Sequence, residues 1–206
     1  MRVDETTSRT EERLLASAES LFARHGIGAV SLRAVMQDAG TNVAAVHYHF
    51  GSKEALLDAV VRSRLDEVTD ARSAIVAALG EHPRPRELAH AFVDPVRAVA
   101  ESGGRAWIQV VGQLLATNDA ALAPISETFF VRNGRFIELM ARLEPRPTPL
   151  AIGFRLSQAM SLTLSVLGDV EHQRALLGGV CTPPSAAEVE RELLDLITAV
   201  LAGPPA

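Results

Sequence analysis

Apolar residues first fall into a helical rhythm after Ser8. Leu14, Leu15, Ala18, Leu21 and Phe22 share one face, and Ser8-x-x-Glu11 has the spacing of a capping box. His25-Gly26 and Gly28 stop this first helix. A second, short one is predicted from Ser31 as N-cap, with Leu32, Val35 and Met36 turned inward and Ala39-Gly40 as its end, Gly40 supplying a permissive turn conformation. A third starts at Asn42 and reaches about Phe50. Gly51-Ser52 then breaks and recaps the chain, and a long helix is predicted from Ser52 to about Leu79. Prolines and paired glycines mark off five further helical segments, at about 86 to 102, 104 to 117, 121 to 143, 149 to 169 and 185 to 202. Pro95 and Pro124 fall inside or beside these patterns, each as a kink or a boundary. No stretch alternates as a strand would, so the expected fold is all-α: a short three-helix head, residues 1–55, followed by a larger helical domain, residues 56–206.

Composition agrees with close-packed helices. Hydrophobic residues make up 48% of the chain and aromatics only 4%, so its apolar content is mainly Ala, Leu and Val. The net charge of −5 is unevenly spread. Residues 1 to 65 hold eight basic and eight acidic side chains, leaving twelve and seventeen for the remainder. A neutral head with local Arg, Lys and His still suits phosphate contact, because the charge facing the phosphates counts rather than the total. Cys181 is the single cysteine, which excludes an intramolecular disulfide and a multi-cysteine metal site. The Met1-Arg2-Val3-Asp4-Glu5 start lacks an apolar signal core, and no uninterrupted apolar run approaches the roughly 18 residues of a membrane span. A cytoplasmic protein with no membrane partner and no cofactor is the expectation.

Ser31 to Phe50 has the parts of a helix-turn-helix: a short helix, a small-residue turn, and a second helix that begins with short or polar side chains. Val35, Met36 and Val46 are suited to pack on Leu21 and Phe22, leaving Thr41, Asn42, Val43, Ala44, Ala45 and His47 near the front. Short side chains permit deep docking in a major groove, and methyl groups suit the thymine methyl. The run Ala39-Gly40-Thr41-Asn42-Val43-Ala44-Ala45-Val46-His47-Tyr48-His49-Phe50-Gly51-Ser52-Lys53-Glu54-Ala55-Leu56-Leu57 resembles the TetR family of transcriptional regulators over about residues 10 to 60. It departs at His47, where that family usually carries Tyr.

The resemblance implies a role for each matched position. Ser31 and Arg33 would face DNA, with Arg33 able to fork onto guanine O6 and N7. Val43 and Ala44 would meet base edges, while Thr41, Asn42, His47, Tyr48 and His49 would mostly hold the backbone. Lys53 would meet a phosphate at the start of its helix, and it is the only lysine in the chain. Plainer readings stand beside these: Tyr48 as a packed aromatic, Arg33 as a solvated charge. His47 and His49, two residues apart on a helix, point to different faces, and no metal site is expected.

The last two segments, 149 to 169 and 185 to 202, carry apolar stripes. Phe154, Ala159, Leu162 and Val166 lie with Ser161 and Ser165 on one; Val189, Leu193, Leu196, Ile197 and Val200 form the other. Either they are intrachain core or they pair with a second subunit. The resemblance implies the latter, a homodimer whose two recognition helices sit about 34–36 Å apart on a palindromic double-stranded operator. Polar groups interrupt apolar faces in the middle segments, and these are candidates to line a small-molecule effector site: Trp107, Gln109, Gln113, Phe129, Phe130, Asn133, Arg155 and Gln158, with Phe136 and Met160 as further lining. A buried Arg155 needs a partner, either Glu127, Glu138 or an acid group of the ligand. No hydrolase, zinc-protease, Walker or dinucleotide pattern is present, and an enzyme is not expected. The expected function is a repressor released from its operator by a small molecule. An activator or a ligand-independent regulator is the alternative, because the sign of regulation depends on where the operator lies.

Overall fold

The computed structural model describes residues 2–41, 50–117, 131–143, 145–180 and 182–204, with side chains from residue 9 onward. Among the described residues every regular element is a helix, as the periodicity predicts. The elements are α1 (Arg2–His25), α2 (Leu32–Asp38), α3 (Lys53–Arg62), α4 (Leu65–Ala77), α5 (Pro85–Glu101), α6 (Arg105–Thr117), α7 (Gly134–Met140), α8 (Pro149–Gly168), α9 (Val170–Leu177) and α10 (Ala186–Ala202).

The head is built around α1, which packs against α2 and α3. Leu14, Ala18 and Phe22 are fully buried along one face of α1, opposite Val35 of α2 and Leu56 and Val60 of α3. The helix starts at Arg2, so Ser8 lies within it rather than capping it; residues 2–7 contain no Gly or Pro to stop propagation backwards. Gly26, at φ 83°, ends it with a bond from its N–H to the Phe22 carbonyl. Helix α2 follows the predicted design closely. The Ser31 hydroxyl accepts the Ala34 N–H at 3.2 Å, and Gly40 at φ 59° lets Thr41 N–H reach the Met36 carbonyl at 2.9 Å.

The long helix expected from Ser52 to Leu79 is two helices. Ser52 caps α3 as predicted, accepting from Ala55 N–H, but the helix ends at Arg62. Arg64, at φ −123° and ψ 1°, breaks the backbone, and α4 departs from Leu65. Nothing local forces the break, since neither Gly nor Pro lies there. At the break the Arg64 side chain lies against Gly104, where an added Cβ would sit 3.0 Å from Nε. The expected division at residue 55/56 falls inside α3.

In the larger part, α5 packs on α4, α8 and α10, and α6 packs on α8 and on α1 of the head. Helix α5 opens with Pro85 at its first position and a Glu87 carboxylate accepting the Arg84 N–H, then continues through the buried Pro95. Pro95 is thus interior to one helix, not a boundary. Segment 149 to 169 appears as α8, capped by Thr148, and 185 to 202 as α10, with Ser185 and Glu188 forming a capping box. Between them lies α9, which the periodicity did not predict. It is opened by the Asp169 carboxylate accepting from His172 N–H. Helix α8 is long and apolar enough by length and composition to cross a membrane. In the fold its inner face packs against α5, α6 and α10.

Candidate DNA interface and effector cavity

On the head, burial of Val35 against α1 turns the opposite face of α2 to solvent, so Ser31 and Arg33 are exposed as expected. The Ser31 oxygen is engaged as a cap. Arg33 projects without such a constraint. Thr41 is half-buried, its hydroxyl 3.5 Å from the Met36 carbonyl. Across the segment that follows, Lys53 begins α3, and its Nζ donates to the Gly28 carbonyl at 3.4 Å, bridging to the turn before α2. That bond leaves further ammonium donors on the same side. Asn42, Val43, Ala44, His47, Tyr48 and His49 lie outside the described residues. Ser17 and Arg13 of α1 fix α2 in place: the Ser17 hydroxyl bonds Asp38, and the Arg13 guanidinium donates to the Ala39 carbonyl.

A cavity opens in the larger part, walled by four helices. Leu65, Val68, Thr69 and Arg72 come from α4, Phe92 and Val96 from α5, Trp107 and Val111 from α6, and Met160, Thr163 and Leu164 from α8. Its volume, counted at the centre of a water-sized sphere, is about 50 Å³. Most of the wall is aliphatic or aromatic. Two polar groups matter in it. The Arg72 guanidinium lies 4.9 Å from the centre of the Phe92 ring and donates from Nη2 to the Phe92 carbonyl at 3.1 Å. Burial lowers its pKa to about 10, so it stays charged at neutral pH. The Thr163 Oγ1 is buried and has no hydrogen-bond partner among the described residues.

Of the candidate effector residues, Trp107 lines this cavity, and so does Met160. The others sit elsewhere. Gln109 donates to the Gly168 carbonyl at 2.8 Å, tying α6 to the end of α8. Gln113 donates to the carbonyls of Phe22 and Ala23 at 3.3 Å, joining α6 to the last turn of α1. Asn133 is buried where α7 meets α4, in a separate hollow beside Ser73 and Val76. Phe136 is buried beside Phe92, with ring centres 5.8 Å apart. Gln158 is exposed on α8. Among the described residues Arg155 has no acid partner. Its Nη1 donates to the Leu201 and Ala202 carbonyls at 3.1 and 3.0 Å, so a cation closes the C-terminal end of α10, where the helix dipole favours one. Glu138 pairs instead with Arg135. Phe129, Phe130 and Glu127 lie outside the described residues.

Sequence reasoning passed over Thr69, Arg72 and Thr163. One signal for the first two was available: Thr69 and Arg72 stand three residues apart among apolar positions of α4, the same kind of interruption used to select Gln109 and Gln113.

The apolar stripes of the last two segments divide. Ala159, Val189, Leu193 and Ile197 are buried within the chain, and Leu162, Val166 and Val200 pack partly on the core. Phe154 and Leu196 are 64% and 48% exposed, and Ser161 and Ser165 are exposed as well. Leu150, 82% exposed, extends this outer face of α8 at helical spacing.

These features describe a helical head with an exposed α2 face joined to a helical domain whose helices wall a cavity. The family described as "Bacterial regulatory proteins, tetR family" matches residues 14–60, and "Tetracyclin repressor-like, C-terminal domain" matches residues 90–200. The chain belongs to the TetR family. Among curated proteins it is similar to the HTH-type transcriptional repressor KstR2 of Rhodococcus jostii, 34% identical over 76 residues, which is 36% of this chain and 37% of that protein. Such matches span about a third of the length of the curated relatives. Solved structures share the whole fold. A TetR family transcription regulator from Marinobacter aquaeolei VT8 is 18% identical, with 97% of this chain and 98% of that one covered at a TM-score of 0.61. A bacterial regulatory protein in the tetR family from Rhodococcus RHA1 is 22% identical, with 95% and 98% covered at the same TM-score.

Proposed function

We propose that the protein is a cytoplasmic transcriptional repressor that binds a palindromic operator as a homodimer and is released by a small-molecule effector. The observation that carries the DNA side is the exposed face of α2. Ser31 and Arg33 stand on it, and Lys53 flanks the far end of the 42–49 segment. In this reading Arg33 contacts a base edge, together with Val43 and Ala44. Ser31, Thr41, Asn42, His47, Tyr48, His49 and Lys53 hold phosphates and the sugar backbone. The subunits join through the outer face of α8, where Leu150 and Phe154 are exposed, and through α10. That pairing accounts for the apolar excess of α8, which then has two faces to bury.

The effector occupies the cavity between α4, α5, α6 and α8. Its walls suit a mainly apolar molecule, and the buried Thr163 hydroxyl and the Arg72 cation favour a polar end that accepts hydrogen bonds or carries negative charge. The test is titration of the DNA upstream of the protein's own gene at several salt concentrations. Specific binding that weakens steeply as salt rises is expected. No binding to that region, or binding insensitive to salt, overturns the reading. Reporter transcription that rises when the gene is deleted supports repression, and a fall favours activation.

A further inference from the structure

Coupling requires that an occupant of the cavity be felt at the DNA face, and one residue touches both sides of that problem. Trp107 is the single tryptophan of the chain and is 3% exposed. Its ring forms part of the cavity wall. Its indole N–H leaves the cavity and donates to the Val61 carbonyl at 3.0 Å, in the last turn of α3. Its backbone N–H, in the first turn of α6, faces the Glu19 carboxyl of α1 and favours its charged form. Cavity, α3 and α1 therefore meet at this side chain and its main chain.

The indole bond has a structural reason. A helix end leaves carbonyls without intrahelical partners, and the break at Ser63-Arg64 places Val61 among them. The indole supplies a donor there, buried, where an unmatched carbonyl is expensive. At its other end α3 begins with Lys53, which holds the turn before α2 through the Gly28 carbonyl. Ten residues of helix, roughly 15 Å, thus connect the indole to the proposed DNA face. The surroundings are stiff. Gln113 fixes the backbone of α6 to the end of α1, and Arg64 is lodged against Gly104, whose added Cβ would meet Val99 at 2.5 Å. With α6 and the junction held, the indole is the wall element whose displacement reaches outside the cavity. The cavity as it stands holds only a few waters, so any organic occupant has to move wall side chains.

We propose that Trp107 is the relay between effector and operator: an occupant displaces the indole, its bond to the Val61 carbonyl is lost, and α3 changes tilt against α1. This rests on the effector-released repressor reading above. The effector being unidentified, a side chain serves as the occupant. Val111, also in the wall and one turn from Trp107, is replaced by Val111→Phe in the full-length protein, and operator affinity is measured alone and combined with Trp107→Phe. Because Trp107 is the sole tryptophan, its emission reports the site directly.

The relay predicts that Val111→Phe shifts the emission and weakens operator binding by about tenfold. Trp107→Phe alone weakens it similarly, and adding Val111→Phe to Trp107→Phe changes it by less than about twofold. A Trp107 replacement by the benzothienyl isostere, which keeps the ring and removes only the N–H, reproduces Trp107→Phe and guards against a folding defect, checked by circular dichroism. Multiplicative losses in the double variant overturn the relay, as does an isostere with wild-type operator affinity; both leave the repressor reading standing. Wild-type protein that binds no operator overturns that reading and the relay with it.

Discussion

Glu19 shows how one side chain serves two domains at a cost. Partial burial raises its pKa above the ordinary 4.5, outweighing Arg64 and the Trp107 backbone N–H, both of which favour the carboxylate. The sign follows directly. A carboxyl with a raised folded-state pKa favours folding when protonated, so its contribution is complete below about the ordinary value and is lost as pH rises through the folded value. Glu19→Gln keeps the size of the side chain and removes the charge. It should raise the urea midpoint at pH 7, with the difference from wild type shrinking toward pH 4. Gly104 is a second single-residue constraint, set by packing rather than charge. Gly104→Ala places a Cβ 2.5 Å from Val99 Cγ1 and 3.0 Å from the Val99 carbonyl, with backbone on one side that cannot swing away. A loss of about 1–3 kcal/mol in urea unfolding is expected.

At the level of elements, two of the three caps read from the sequence hold. Ser31 and Ser52 each accept a backbone N–H three residues on, while Ser8 lies inside α1; Ser185, which opens the last predicted segment, is a third cap of the same kind. Ser185→Ala removes both its own bond and its share of the box with Glu188, and a loss of about 1 kcal/mol should appear in denaturant unfolding. Helix ends set by distant contacts were not legible. The α3 to α4 break comes where Arg64 meets Gly104, forty residues away, and α9 opens where Asp169 caps a segment lacking a strong apolar rhythm. Arg155 belongs to the same class: its partners are main-chain carbonyls at the end of α10, invisible to a search for acidic side chains.

For the whole molecule, the outer face of α8 is the feature that a single chain leaves unfinished. Leu150 and Phe154 stand exposed one turn apart, while Ser157, Ser161 and Ser165 continue the face with small side chains that permit close approach of another helix. Replacing both Leu150 and Phe154 by Glu should yield monomers by light scattering with the helical circular dichroism intact. Operator affinity should then fall roughly a hundredfold or more, because each half-site contact is no longer tethered to the other. Unchanged dimer mass would place the interface elsewhere.

The sequence by itself determined the all-α class, the head with its short α2, the caps at Ser31 and Ser52 and most helix bounds, because periodicity, Gly, Pro and Ser act within a few residues of where they stand. It also marked Ser31 and Arg33, whose exposure follows from the burial of Val35 on the same helix, and the half-buried Lys53 at the start of α3. Tertiary structure alone decided which polar residues reach the cavity. Gln109, Gln113 and Arg155 look like lining in one dimension, yet each was taken by a carbonyl on another helix, while Thr69, Arg72 and Thr163 were turned inward by the way α4, α5, α6 and α8 cross. A side chain's spacing fixes the face it shares, but only packing fixes what that face meets.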